Sequence, residues 1–160
     1  MHESAPLTAH AWEAFYVIVG STAGALTGLQ FVVLTLITEA GMIRGTGETL
    51  SAFSTPNVVH FCAALLVSAV LSAPWTGLGP PGVVVALAGL CGVIYAIDVM
   101  KRARRQRDYK PVLEDWVFHA ALPILTYLAL VYAGIQLVRG SAGALFIVGG
   151  ATLMLLFIGI

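Results

Sequence analysis

Charge is what this 160-residue chain has least of: Asp, Glu, Lys and Arg together make up 10% of it, against roughly 25% in soluble globular domains. With 59% hydrophobic residues and a mean hydropathy of +0.92, that scarcity excludes a soluble fold. Eight basic residues balance eight acidic ones, so net charge implies no nucleic-acid partner. Cysteine is equally sparse. Cys62 and Cys91 both lie inside apolar runs, where a thiol behaves as a small hydrophobe and no disulfide framework can be read. Met1 to His10 hold no Lys or Arg, so the basic n-region of a secretory signal is missing and the first apolar segment is expected to be retained. Sequences of the GxSxG, HExxH, P-loop and GxGxxG types are absent as well, which leaves nucleophilic, zinc-protease and nucleotide chemistry without a motif and leads us to expect a non-enzymatic protein.

What is present are long apolar runs. At roughly 20 residues per bilayer crossing, the chain has room for about five helical spans and no separate soluble domain. The predicted fold is all-α, a polytopic membrane bundle forming one transmembrane domain over 1–160. The first span is predicted over 12–37, with Trp12, Phe15 and Tyr16 where an interfacial aromatic belt would sit. A polar segment from Thr38 to Thr55 follows. Thr55 as cap and Pro56 as first helical residue predict a second span over 56–75, and Gly77, Gly79, Pro80 and Pro81 predict a tight break. The remaining spans are predicted over 83–100, 111–138 and 144–160, the last two joined by a turn at Arg139–Gly143. The fifth, about 26 Å long at 1.5 Å per residue, closes in Phe157-Ile158-Gly159-Ile160 with no polar flank, so the natural chain is expected to run on past Ile160.

Between the third and fourth spans, residues 101–110 hold six of the eight basic residues: Lys101, Arg102, Arg104, Arg105, Arg107 and Lys110. Basic loops stay cytoplasmic, which places the N-terminus outside and the C-terminus inside. The same cluster could attract anionic lipid headgroups.

Two features carry the functional reading. Gly20, Gly24 and Gly28 form a small-residue stripe on the first span, and Ala88, Gly92 and Ala96 a weaker one on the third. Such stripes let helices approach closely where lipid supplies no hydrophobic drive, either within one protomer or between copies. The second feature is polar. His60 and His119 are each predicted near the cytoplasmic end of a span, with Glu39, Asp98, Glu114 and Asp115 at the same boundary. Asp115 and His119 share a helical face at i, i+4. Three meanings stand open: carboxylates complementing a helix dipole with interfacial histidines, a divalent-metal or proton-handling site of His60, His119, Asp115, Glu39 and Asp98, and haem b held by His60 and His119. No single cofactor follows from the sequence.

Deeper in the spans no Asp, Glu, Lys or Arg is expected near a midplane, which counts against an ion-coupled transporter. Gln30 is the best intramembrane polar candidate, for a pore or for interhelical hydrogen bonding. Pro123 is predicted to kink the fourth span and free the carbonyl of His119.

The segments Trp12-Glu13-Ala14-Phe15-Tyr16, Gly28-Leu29-Gln30-Phe31-Val32, Phe53-Ser54-Thr55-Pro56 with Val59-His60-Phe61, and Glu114-Asp115-Trp116 with His119 resemble small multi-span bacterial membrane proteins of unassigned function. That resemblance implies a bacterial inner-membrane setting and no particular activity. The expectation is a membrane protein working as a homo-oligomer or as a small subunit of a larger complex, with passage of a small ion as one role; the alternative is a redox protein binding haem or metal through His60 and His119.

Overall fold

A computed structural model describes residues 12–39, 47–105 and 121–160, with the backbone alone for residues 38, 47–55 and 103–105. Among the described residues every regular element is helical: α1 Glu13–Glu39, α2 Gly47–Ser72, α3 Gly79–Arg105, α4 Leu122–Val138 and α5 Ala144–Gly159. The all-α expectation holds. Two of these helices, over Glu13–Ile37 and Gly79–Arg102, are long and apolar enough to cross a bilayer, and the apolar stretches Pro56–Ser72, Leu122–Val138 and Ala144–Gly159 are shorter.

The largest differences from expectation fall at three boundaries, each for a local reason, and the expected start of the fourth span at 111 lies outside the described residues. Helix α2 begins at Gly47, so Pro56 lies inside it rather than at its start. A proline there removes one i to i−4 hydrogen bond but does not force an end, and Leu50 and Ala52 just before it are good helix formers. Helix α3 begins at Gly79, so Pro80 and Pro81 open it instead of ending the chain's helical path. First-turn N–H groups have no intrahelical partner, so proline costs nothing there. At its other end α3 runs through Lys101 and Arg102 to Arg105, because Lys, Arg and Ala favour helix and positive charge suits a helix C-terminus. The predicted loop 101–110 is thus helical in its first half, and Arg107 and Lys110 lie outside the described residues. Pro123 sits in the first turn of α4, directly after a π-helical residue at Ala121; the carbonyl of His119 lies outside the described residues.

The turn at Arg139–Gly143 is where the sequence puts it. Gly140 has φ +84°, and the amides of Gly140 and Ser141 donate to the carbonyls of Leu137 and Gln136 at 2.9 Å each. This is the Schellman arrangement, which satisfies two orphan carbonyls and needs a residue without a Cβ at the left-handed position.

Adjacent helices pair: α1 against α2, and α3 against α4, with α5 packed on α4, α2 and α1, and α2 also touching α3. The α3–α4 seam is the tightest. A Cβ on Gly82 would stand 2.8 Å from the Gly134 carbonyl, one on Gly134 2.6 Å from the Gly82 carbonyl, and one on Gly89 2.8 Å from the Val131 amide. These glycines let two antiparallel backbones meet, so van der Waals contact is made along the whole seam. At the opposite side of the bundle the Tyr16 hydroxyl donates to the Leu145 carbonyl at 3.2 Å, and Trp12 stacks edge-on against Phe15 and Phe146 with centroids 5.4 and 4.6 Å away.

Candidate functional site

The described interior is lined by Phe61, Ala64 and Val67 from α2, Val85 and Ala96 from α3, Tyr127, Leu130 and Ala133 from α4, and Leu145, Val148 and Leu155 from α5. One ionisable pair stands among them. His60 Nδ1 and the Tyr127 hydroxyl are 2.8 Å apart, with ring centroids 5.6 Å apart at 42°; His60 is 4% exposed and Tyr127 0%.

Glycine makes room for this pair. A Cβ on Gly92 would overlap the Tyr127 ring, and one on Gly159 the ring of Phe61, the residue after His60. Two helices therefore omit side chains where aromatic rings must fit. The bond also joins the halves of the bundle, because α2 and α4 are not closely packed on one another and only the length of the tyrosine spans the gap.

The position of the histidine along its helix differs from the expectation. His60 is the fourteenth of the 26 residues of α2, and Gly92, level with Tyr127, is the fourteenth of the 27 residues of α3. The early start of α2 puts His60 near the middle of the helix, while in the apolar stretch Pro56–Ser72 it remains close to the starting end. Among the described carboxylates, Glu39 and Asp98 stand apart from His60. Glu39 ends α1 and is exposed; because Gly20 faces Ser68 across the antiparallel α1–α2 contact, His60 stands level with Gly28, about 16 Å along the axis from Glu39. Asp98 is exposed on α3, about 9 Å along the axis from Gly92. Among the described residues no group of three or more His, Cys, Asp or Glu is placed to hold a metal ion. His119, Glu114 and Asp115 lie outside the described residues, so the haem and metal expectations that need His119 rest on the sequence alone.

The glycine stripes divide. Gly20 is buried against Ser68, where a Cβ would stand 3.1 Å from the serine Cβ, whereas a Cβ on Gly24 or Gly28 would meet nothing within 4 Å. On α3, Gly92 and Ala96 are buried while Ala88 is half-buried. The working seam is instead Gly82, Val85, Gly89, Gly92 and Ala96, all buried. Sequence reasoning followed a four-residue spacing and passed over Gly82, Gly89, Gly134 and Tyr127; the seven-residue interval from Gly82 to Gly89 was the available signal. Gln30 is half-buried on α1, and Lys101 and Arg102 are exposed at the end of α3. Arg104 and Arg105 lie in the last turn of α3.

Every helix also shows large apolar side chains on its outside, among them Ile18, Phe31 and Leu36 on α1, Leu66 on α2, Leu87 and Ile94 on α3, Leu125 on α4 and Phe157 on α5. On the outer face of α1 the hydroxyls of Thr22 and Thr35 donate to the carbonyls of Ile18 and Phe31 at 2.9 Å. Comparison with protein-family models, with curated proteins and with solved structures finds no match.

Proposed function

We propose that the chain is a non-enzymatic, five-span protein of the bacterial inner membrane, N-terminus outside and C-terminus inside, that works as a homo-oligomer or as a small subunit of a larger membrane complex, with passage of a small ion as the activity such an assembly would carry. The membrane part of this reading is supported by the apolar outer faces of all five helices, which are far more extensive than the patches a water-soluble monomer tolerates. The six basic residues of 101–110 supply the orientation, since such clusters remain on the cytoplasmic side.

The assembly part is carried by one observation: Gly24 and Gly28 stand on α1 with open space above them, beside exposed Ser21 and Ala25. A bare helix face of this kind lets a second helix approach backbone to backbone. The test is disulfide trapping in native membranes, with cysteine placed at Ala25 or Gly28 in a chain whose Cys62 and Cys91 are replaced by alanine. Crosslinked dimers, or a crosslink to a co-purifying subunit, are expected; a chain that is monomeric in lipid, uncrosslinked and free of partners overturns this reading.

A further inference from the structure

A tyrosine hydroxyl can donate or accept a hydrogen bond, whereas a carboxylate only accepts and a guanidinium only donates. Histidine is the side chain whose demand on a partner changes with its protonation: the neutral ring has one donor and one acceptor nitrogen, the protonated ring two donors. Across the 2.8 Å between Tyr127 and His60 Nδ1, the phenol donates when Nδ1 is bare. When Nδ1 carries a proton, the same oxygen accepts from it and the phenol hydrogen turns away. The pair therefore stays bonded in both states, and the net change is one proton and one positive charge added to the imidazole.

The setting is a built one. Gly92 and Gly159 each give up a side chain so that the rings of Tyr127 and Phe61 can hold this geometry. Among the described residues, the titratable groups on the surrounding elements are few. Between its terminal glutamates α1 contributes Tyr16, which is bonded to Leu145, and α5 contributes none. Helix α3 contributes Tyr95, close enough to Tyr127 to interact electrostatically, with Asp98 a turn further on; on α2 and α3, Cys62 and Cys91 are exposed.

We propose that His60 and Tyr127 form a proton-binding site in the interior of the bundle, the tyrosine holding the imidazole in both its neutral and its protonated state. This rests on the membrane reading above, in which an ionisable side chain inside the spans is where proton exchange is carried out. The test is solid-state NMR of the whole chain, labelled with ¹⁵N-histidine and ¹³C-tyrosine, in vesicles of phosphatidylethanolamine and phosphatidylglycerol between about pH 4 and pH 8. The His60 resonance is identified by its through-space coupling to the Tyr127 ring and by its loss in His60→Gln; if that variant does not fold, the coupling alone identifies it.

The expected result is that the His60 ring passes from neutral to imidazolium with at least an about tenfold change in the ratio of the two forms, and that the Tyr127 Cζ shift moves with the same midpoint. A ring that keeps one form throughout, or that titrates while Tyr127 stays still, overturns the proposal. Failure of the membrane reading is separate: it shows as release of the chain from vesicles at alkaline pH. A chain that is retained in the vesicles but holds a non-titrating His60 overturns this inference alone.

Discussion

The pairs α1–α2 and α3–α4 are both antiparallel helices rich in small residues, yet they use those residues in opposite ways. In α3–α4 the glycines face each other, and Gly82 and Gly134 each leave space that the other's carbonyl fills. In α1–α2 one glycine, Gly20, meets a neighbour, and Gly24 and Gly28 look outward. A glycine stripe thus marks a helix that can be approached closely, but the partner is decided by which way the stripe turns relative to the rest of the fold.

The difference is sharpest in what a larger side chain would do. Gly134→Leu should break the α3–α4 seam, because the new atoms meet the Ala86 amide and Gly82 carbonyl, backbone that cannot swing aside; a loss of about 3 kcal/mol or more is expected, read as unfolding at lower denaturant in detergent or as loss of folded protein. Gly20→Ala should cost about 1 kcal/mol, since its Cβ would stand 3.1 Å from that of Ser68 and the helices must part by a few tenths of an ångström. Smaller again, Gly24→Ala and Gly28→Ala should leave protomer stability within about 0.5 kcal/mol. A large loss at Gly28 together with none at Gly134 would reverse the assignment of the two seams. The same scale ends at Ser68, whose hydroxyl is buried in the α1–α2 contact with no hydrogen-bond partner among the described residues. Ser68→Ala should be as stable as the parent or slightly more so, because removing an unsatisfied polar group removes its desolvation cost.

Much of this architecture is written in local signals. The start of α1 and the end of α4 fall within a residue of where aromatic anchors and the Arg139-Gly140 turn put them, because those signals are decided by residues within one helical turn. The starts of α2 and α3 were not legible in that way. Thr55-Pro56 and Gly79-Pro80-Pro81 are consistent both with a boundary and with a proline accommodated by a helix, and the surrounding chain settles which. The site was less legible still. His60 is visible as an isolated ionisable residue in an apolar run, but its partner lies 67 residues away, on a helix whose Tyr127 looks from the sequence like any other apolar aromatic. Neither the space left by Gly92 nor that left by Gly159 has meaning until the rings that fill them are placed.

Helix α5 touches α1, α2 and α4, and it is made after all of them. The two earlier hairpins can each zip as soon as their second helix has emerged, since their contacts join neighbours in the chain. The two hairpins meet each other where α2 touches α3 and through the His60–Tyr127 bond, and α5 adds to this by packing on α4 while Leu145 meets Tyr16 and Gly159 meets Phe61. Helix α5 is thus the keystone of the bundle, the one element among the described residues that packs on both members of the first hairpin and on the second.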